Sequence, residues 1–241
     1  MIPNGDSEFK SFSEDAINNA GYMYTTNAKL SSYLANQRLT DIALEMVDFK
    51  TKKVLDVGCG DGTYTLELLE KGQPSMIHGI DISPEAIELA QQRIVGKPAS
   101  FEVQSADKPD FATDSYDIVH MRGILHHMNN PAQALIEAIR IAPEVIVIEP
   151  NGYNPILKVI ERTSRYHIEH QEKSYRPKVL KEWTRQAGGI IRGERYVGLV
   201  PFFCPSLIAR ILKIIEPIFE KSFTINMLSC AVYAYTIERV R

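Results

Sequence analysis

The sequence is short of the features that would staple, anchor or export a small protein. It has three cysteines, Cys59, Cys204 and Cys230, and no C-x-x-C pair, so a disulfide framework and a thiolate zinc cage are excluded. A reducing compartment is the simpler expectation. No apolar run is long enough to span a bilayer, and the opening MIPNGDSEFKSF has no apolar signal core, so the cytoplasm is the expected location. Basic residues are not in excess: 27 Lys and Arg stand against 30 Asp and Glu, a net charge of -3, which argues against a dominant nucleic-acid footprint. Internal repeats and low-complexity segments are also missing. What is present is 241 residues with 44% hydrophobic content, enough to bury a core that needs no disulfide or metal.

The patterning predicts one domain with several parts. Residues 1 to about 20 are polar and read as poorly ordered at the start. From Ala28 to Val47 the apolar spacing of Leu39, Ile42, Ala43 and Met46 predicts a helix with one buried face. From Lys53 the chain alternates short apolar runs with helical patterns. Strands are expected at Lys53–Val57, Met76–Ile82, Phe101–Gln104, Tyr116–Met121 and Glu144–Glu149. Helices are expected at Thr63–Lys71, after the Ser83-Pro84 cap with Ile87, Ala90 and Ile94 on one face, and after the Asn130-Pro131 cap, where Gln133 would complete a capping box and Pro143 would end the helix. The Val-Ile-Val-Ile run suits a central parallel strand. This alternation predicts an α/β fold, a doubly wound and mostly parallel sheet covered on both faces, with ligands bound beyond the carboxyl ends of the strands.

The last third is less regular. Residues 151–176 read as a loop or small insertion, Pro177–Ala187 as a helix ending at two glycines, Ile190–Val197 as a strand, Pro205–Ser222 as an apolar helix and Ser229–Glu238 as a closing strand. The parts are therefore an N-terminal helical lid (1–50), a core (51–150) and two substrate-side insertions (151–176 and 199–228).

The strongest motif is VLDVGCGDG at 54–62: a buried strand that runs into three glycines and then a helix. Glycine allows a sharp turn and close ligand approach, and the helix start offers unpaired N–H groups. Asp81 ends the next strand 21 residues after Gly60, and a carboxylate there can accept both hydroxyls of a ribose. A structural turn with a helix cap is the bland alternative, and the strand context plus Asp81 makes it the weaker one. The dinucleotide pattern G-x-G-x-x-G fails because Thr63 stands three residues after Gly60. Asp56 also places a negative charge before the loop, which disfavours a pyrophosphate and favours an ammonium.

VLDVGCGDG resembles the first motif of class I S-adenosylmethionine-dependent methyltransferases, GIDIS resembles their second, and DSYDIVHMRGILHHM resembles their fourth strand and following loop in the small-molecule (type 11/12-like) branch. The resemblance covers about residues 50 to 150. It implies a seven-stranded Rossmann-like methyltransferase fold and S-adenosylmethionine as cofactor. Residue by residue, it implies Asp56, Gly58 and Gly60 at the methionine part, with Cys59 in the same loop, Asp81 at the ribose and Ile82 on the adenine. The family often carries an aspartate after the third strand, where this chain has Ser105; Asp107 or the Ala106 backbone would replace it. Met121 and Arg122, in the loop that ends at Gly123, would border the cofactor.

Methyl transfer from a sulfonium needs positioning first, and a general base only where the acceptor loses a proton. Candidate catalytic bases are His126, His127 and Glu149; for the histidines a packed loop, and for Glu149 a structural acceptor before Pro150, are the competing readings. His167 and His170, with Glu169 and Glu172, resemble a metal cluster, but a solvated substrate-facing insertion is preferred and no metal is expected. Tyr22, Tyr24, Tyr33, Lys29 and Arg38 read as lid or pocket residues or as ordinary surface. The loop after the fourth strand lacks the Asn/Asp-Pro-Pro-Tyr pattern of nucleobase methylation, so no nucleic-acid partner is expected. The stripe of Leu207, Ile208, Ile211, Leu212, Ile215, Ile218 and Phe219, which Pro217 should kink or break, reads first as packing on the sheet or in a homodimer. The sharper reading is a cover for a lipid-linked acceptor or a peripheral membrane contact. The expected activity is transfer to a small-molecule or lipid- or glycan-linked acceptor. Competing readings are an RNA or protein methyltransferase, a non-catalytic S-adenosylmethionine-binding protein and, disfavoured by Thr63 and Asp56, a nicotinamide oxidoreductase.

Overall fold

The structure, a computed structural model, describes residues 29–94, 96–164 and 173–240. The expectations for residues 1–20, for Tyr22 and Tyr24, and for the cluster His167, Glu169, His170 and Glu172 lie outside the described residues.

The elements in chain order are α1 (Leu30–Met46), β1 (Lys53–Val57), α2 (Thr63–Gly72), β2 (Met76–Asp81), α3 (Pro84–Gln92), β3 (Ala99–Val103), β4 (Ile118–Arg122), α4 (Pro131–Ile141), β5 (Glu144–Pro150), α5 (Pro155–Thr163), α6 (Pro177–Gln186), β6 (Gly189–Val197), α7 (Ser206–Lys221), α8 (Phe223–Ser229) and β7 (Val232–Arg239). They form one seven-stranded sheet in the order β3-β2-β1-β4-β5-β7-β6. The five strands from β3 to β5 run parallel, and β7 runs antiparallel between β5 and β6. The order reverses at β1, so the crevice beside the carboxyl ends of β1 and β4 is the switch point where such sheets bind ligands.

Both faces of the sheet are covered. In β5, Val145 and Val147 enter the cluster under α4 and α6, and Ile146 and Ile148 enter the cluster under α1. The period-2 alternation of side chains sends neighbours to opposite faces, which is why a central strand is apolar throughout. Helix α4 shows the ordinary amphipathic solution, burying Ala134, Leu135, Ala138, Ile139 and Ile141.

Several boundaries differ from expectation. β4 starts two residues later, at Ile118, and Tyr116 instead bonds the ring of His78. α3 ends at Gln92, before Ile94. Asn130 caps α4 by accepting from the Gln133 N–H, but the Gln133 side chain turns to Glu137, so no reciprocal box forms. The 151–176 segment contains helix α5, begun by the Asn154 side chain, which accepts from the N–H groups of Ile156 and Leu157. Ser229 belongs to α8, and the closing strand begins at Val232. Helix α7 continues through Pro217, where the residue is exposed and close enough to the helix end to cost one backbone bond.

The packing expected of α7 on the sheet is also overturned. The helix buries only Ala209 and Glu216 against the body. Its apolar residues Leu207, Ile208, Ile211 and Ile218 are exposed. The reason is polar: Glu216 accepts from the Leu199 N–H at 2.9 Å, and Glu220 accepts from the Gly198 N–H at 2.9 Å and from Arg38 of α1 at 2.8 Å. These anchors hold the polar face inward. Arg38 thus ties α1 to α7 and has no place in the cavity described below; Tyr33 is exposed and bonded to Gln37, and Lys29 lies over the Phe203 ring.

Candidate active site

β1 delivers the glycine loop to the switch point. Gly58 has φ +76°, and a Cβ there would lie 2.6 Å from Ile124 Cδ1, so conformation and space both require glycine. The N–H groups of Gly58 and Cys59 donate to the Ile80 carbonyl of β2 at 2.8 and 3.0 Å. Asp81 closes the loop: one carboxylate oxygen accepts from the Gly60 N–H and the other from the Ser83 N–H, each at 2.9 Å. Burial pushes the Asp81 carboxyl above its usual range, against the pull of those N–H groups. Ile82 beside it is 59% exposed and forms an apolar platform at the cavity.

Asp56 is buried and already engaged. It accepts from Thr65 Oγ1 and from His120 Nδ1 of β4, the latter at 2.7 Å. Cys59 is buried nearby, and burial with the adjacent carboxylates pushes its thiol up.

β4 contributes by alternation. His120 and Arg122 face the cavity, while Met121 points into the core and is fully buried. The expectation that Met121 borders the cofactor is corrected accordingly: strand parity assigns that edge to its two neighbours. Arg122 carries α1 into the site, donating to Thr40 Oγ1 at 3.0 Å and Asn36 Oδ1 at 2.9 Å, with its guanidinium 3.9 Å from the Tyr64 ring centroid.

After Gly123 the chain forms a 3-10 turn, Leu125–His127. Glu149, at the end of β5, holds it. One of its carboxylate oxygens accepts from the N–H groups of Ile124 and Leu125 at 2.9 and 2.8 Å, and the other meets His126 Nδ1 at 2.7 Å. The His126 and His127 ring centroids are 3.9 Å apart. Glu149 is thus spent on orientation: it holds the 3-10 turn and fixes the His126 ring, favouring the tautomer with its proton on Nδ1.

All these groups share one cavity of about 520 Å³. Asp56, Gly58, Cys59, Gly60, Asp81, Ile82, Ser105, Ala106, Asp107, Arg122, His126, His127 and Glu149 line it; of the expected cofactor-binding and catalytic residues, Met121 alone does not. Ser105 donates to the carboxylate of Asp107, so the two act as a pair in the loop after β3. Residues the sequence reading missed are His120, Tyr64, Asn36, Leu157, Glu161 and Phe202. His120 and Tyr64 had a signal, the first two residues from Arg122 in one strand and the second two residues past the glycine motif; the others come from elements far apart in the chain. Among the described residues, no group of three or more His, Cys, Asp or Glu side chains could hold a metal ion.

The pocket fits an adenosine-bearing sulfonium better than a dinucleotide. The Gly58 cradle leaves no room for a Cβ, the Asp81 carboxylate stands beside the Ile82 platform, and the neighbouring fixed charges of Asp56 are negative.

Comparison with known proteins agrees with this geometry. A family model described as a methyltransferase domain matches residues 48–191. The ubiquinone biosynthesis O-methyltransferase of Saccharophagus degradans is 24% identical over 161 residues, covering 60% of this chain and 66% of that protein. An uncharacterised methyltransferase of Schizosaccharomyces pombe is 29% identical over 113 residues, 43% of this chain and 38% of that protein. The chain thus spans between about two fifths and two thirds of these curated relatives' length. Among solved structures, a Thermotoga maritima S-adenosylmethionine-dependent methyltransferase, described as a possible histamine N-methyltransferase, superposes with TM-score 0.71 at 16% identity, covering 95% of this chain and 99% of that one. A chain from the complex of the Haloferax volcanii Trm112 methyltransferase activator with a methyltransferase also gives TM-score 0.71, at 17% identity over 98% of this chain and 99% of that one. At these identities the structural likeness speaks to the fold.

Proposed function

The chain belongs to the methyltransferase-domain family, and from that premise we propose that it transfers a methyl group from S-adenosylmethionine to a small-molecule hydroxyl, with His126 as the general base. The observation that carries the acceptor half is the Glu149–His126 contact at 2.7 Å inside the cavity.

S-adenosylmethionine supplies a methyl carbon already activated by its positive sulfur, so displacement breaks the carbon–sulfur bond and leaves a neutral thioether. Asp81 would hold the ribose hydroxyls, Ile82 would pack on the adenine face and the backbone of Gly58 and Gly60 would take the methionine part; that all four line one cavity supports this reading. Asp56 acts through His120 and Thr65: it fixes the end of β1 and keeps the field there negative. Ser105 and Asp107 line the same cavity and would border the adenine side. Arg122 braces α1 over the site through Asn36 and Thr40.

The acceptor enters beside His126 and His127. Its hydroxyl proton passes to His126 Nε2 while its oxygen takes the methyl group, and Glu149 stabilises the imidazolium through Nδ1–H. The wall also carries apolar Leu39, Ile148, Leu157 and Phe202 beside the polar Asn36, Glu161 and Lys173, a mixed lining that suits an aromatic or amphiphilic acceptor better than a polynucleotide. The resemblance to ubiquinone-pathway O-methyltransferases supports the same acceptor class. An RNA or protein acceptor would need an open basic cleft in place of this partly enclosed cavity.

The test is transfer of a labelled methyl group to a panel of phenols and catechols, with S-adenosylmethionine binding measured by calorimetry. His126→Asn should lower kcat about 100-fold or more with cofactor affinity unchanged, and Glu149→Gln should lower it less. Turnover that survives His126→Asn would remove the base assignment. Cofactor binding without transfer to any acceptor would instead favour a non-catalytic binding protein.

A further inference from the structure

We propose that α7, with α5 and α8, forms a docking surface for an anionic lipid bilayer. It stands on the outer surface of these helices and does not depend on the identity of the acceptor.

Leu207, Ile211, Ile214 and Ile218 recur at i, i+4, i+7 and i+11, one face of α7, and are 71%, 51%, 76% and 70% exposed. The opposite face carries Ala209 and Glu216, seven residues apart and buried. The helix is therefore inverted relative to a core helix. It cannot roll inward without breaking the Glu216 bond to Leu199 and the Glu220 bonds to Gly198 and Arg38. The apolar face continues on neighbouring helices. Ile156 and Val159 of α5 are 66% and 60% exposed, and Ile225 and Leu228 of α8 are each 48% exposed. Exposed apolar side chains gathered on three helices, of which α8 packs on both α5 and α7, mark an interaction site.

The charges say what covers it. Every carboxylate on these three helices turns inward and is paired: Glu161 with Lys158 and Ser174, Glu216 with Lys213, Glu220 with Arg38. The exposed ionisable residues there are all cations, Arg162, Arg210 and Lys221. Arg210, Ile214 and Lys221 share one stripe at i, i+4 and i+11, so cationic heads rim the apolar face on the edge nearest Ile214. This segregation sits on a chain of net charge -3. Apolar side chains at the centre and cations at the rim match the acyl boundary and anionic headgroups of a membrane interface. No helix among the described residues is long and apolar enough to cross a membrane, so the contact lies in the plane of the surface. Leu157, next to Ile156, and Phe202, shortly before α7, also line the cavity, so the docked face adjoins the site.

The test is flotation of the full chain with vesicles of phosphatidylcholine alone and of phosphatidylcholine with phosphatidylglycerol. The wild type should float with the anionic vesicles at low salt and lose binding as salt is raised. The double variant Ile214→Asp/Ile218→Asp should float about tenfold less or worse, and Arg210→Glu/Lys221→Glu should lose several-fold, both with unchanged far-ultraviolet circular dichroism. Folded wild-type protein that stays with the lipid-free fraction would overturn the proposal, as would flotation indifferent to Ile214→Asp/Ile218→Asp. A dimer seen by light scattering that this variant turns into monomer would assign the face to a second copy instead.

Discussion

Helices α4 and α7 have the same kind of sequence and opposite fates. Each carries a broad apolar stripe at three- and four-residue spacing. α4 turns that stripe onto the sheet and buries five apolar residues, Ala134, Leu135, Ala138, Ile139 and Ile141. α7 is longer and buries a single alanine and a glutamate. Amphipathicity therefore establishes that a helix has two faces, not which one meets the protein. For α4 the choice follows from the hydrophobic effect alone. For α7 it is made by Glu216 and Glu220, whose partners at Leu199, Gly198 and Arg38 are a desolvated polar network that would be costly to break.

The largest expected effect breaks the α4 side. Leu135 is fully buried, so Leu135→Ala should destabilise by about 2–5 kcal/mol in chemical denaturation. Next comes the polar anchor of α7. Glu220→Ala leaves the Gly198 N–H and part of the Arg38 guanidinium without an acceptor and should cost about 1–3 kcal/mol, though it touches no apolar contact of the sheet. A pH effect separates the core from both helices. Burial holds the His78 imidazole below its usual value, so the folded state favours neutral histidine while the unfolded state protonates near pH 6.5. Stability should be full above that pH and fall as pH drops below it, and His78→Gln should flatten the profile. The smallest effect is on the outward face: Ile214→Ala, at 76% exposure, should change stability by less than about 0.5 kcal/mol. A loss as large as that of Leu135→Ala would show that α7 packs inward in solution.

The same contrast explains what was legible in the sequence. Features set by local chemistry could be read directly: the strand-to-glycine turn at 54–62, Asp81 at the end of β2, and the Ser83-Pro84 and Asn130-Pro131 helix starts. Features set by distant partners could not. The negative charge of Asp56 before the loop could be read, but its engagement by His120, 64 residues later, could not. Glu149 could be read as a base, yet its oxygens are committed to the 3-10 turn and to His126. Met121 failed through parity: beside glycines and a loop, its orientation depends on the register of β4 against β1 and β5. Helix α5 was hidden because its polar neighbours read as loop, although the Asn154-Pro155 start resembles the two caps that were recognised.

The central claim is that the glycine loop and Asp81 together form an S-adenosylmethionine site. Calorimetry on the wild type and Asp81→Ala, with S-adenosylmethionine and NAD as titrants, tests it most directly. The account predicts binding of S-adenosylmethionine to the wild type, no binding of NAD, and a loss of about tenfold or more in Asp81→Ala from the missing ribose hydrogen bonds. Binding of NAD in preference to S-adenosylmethionine, or equal S-adenosylmethionine affinity in the two proteins, would contradict it.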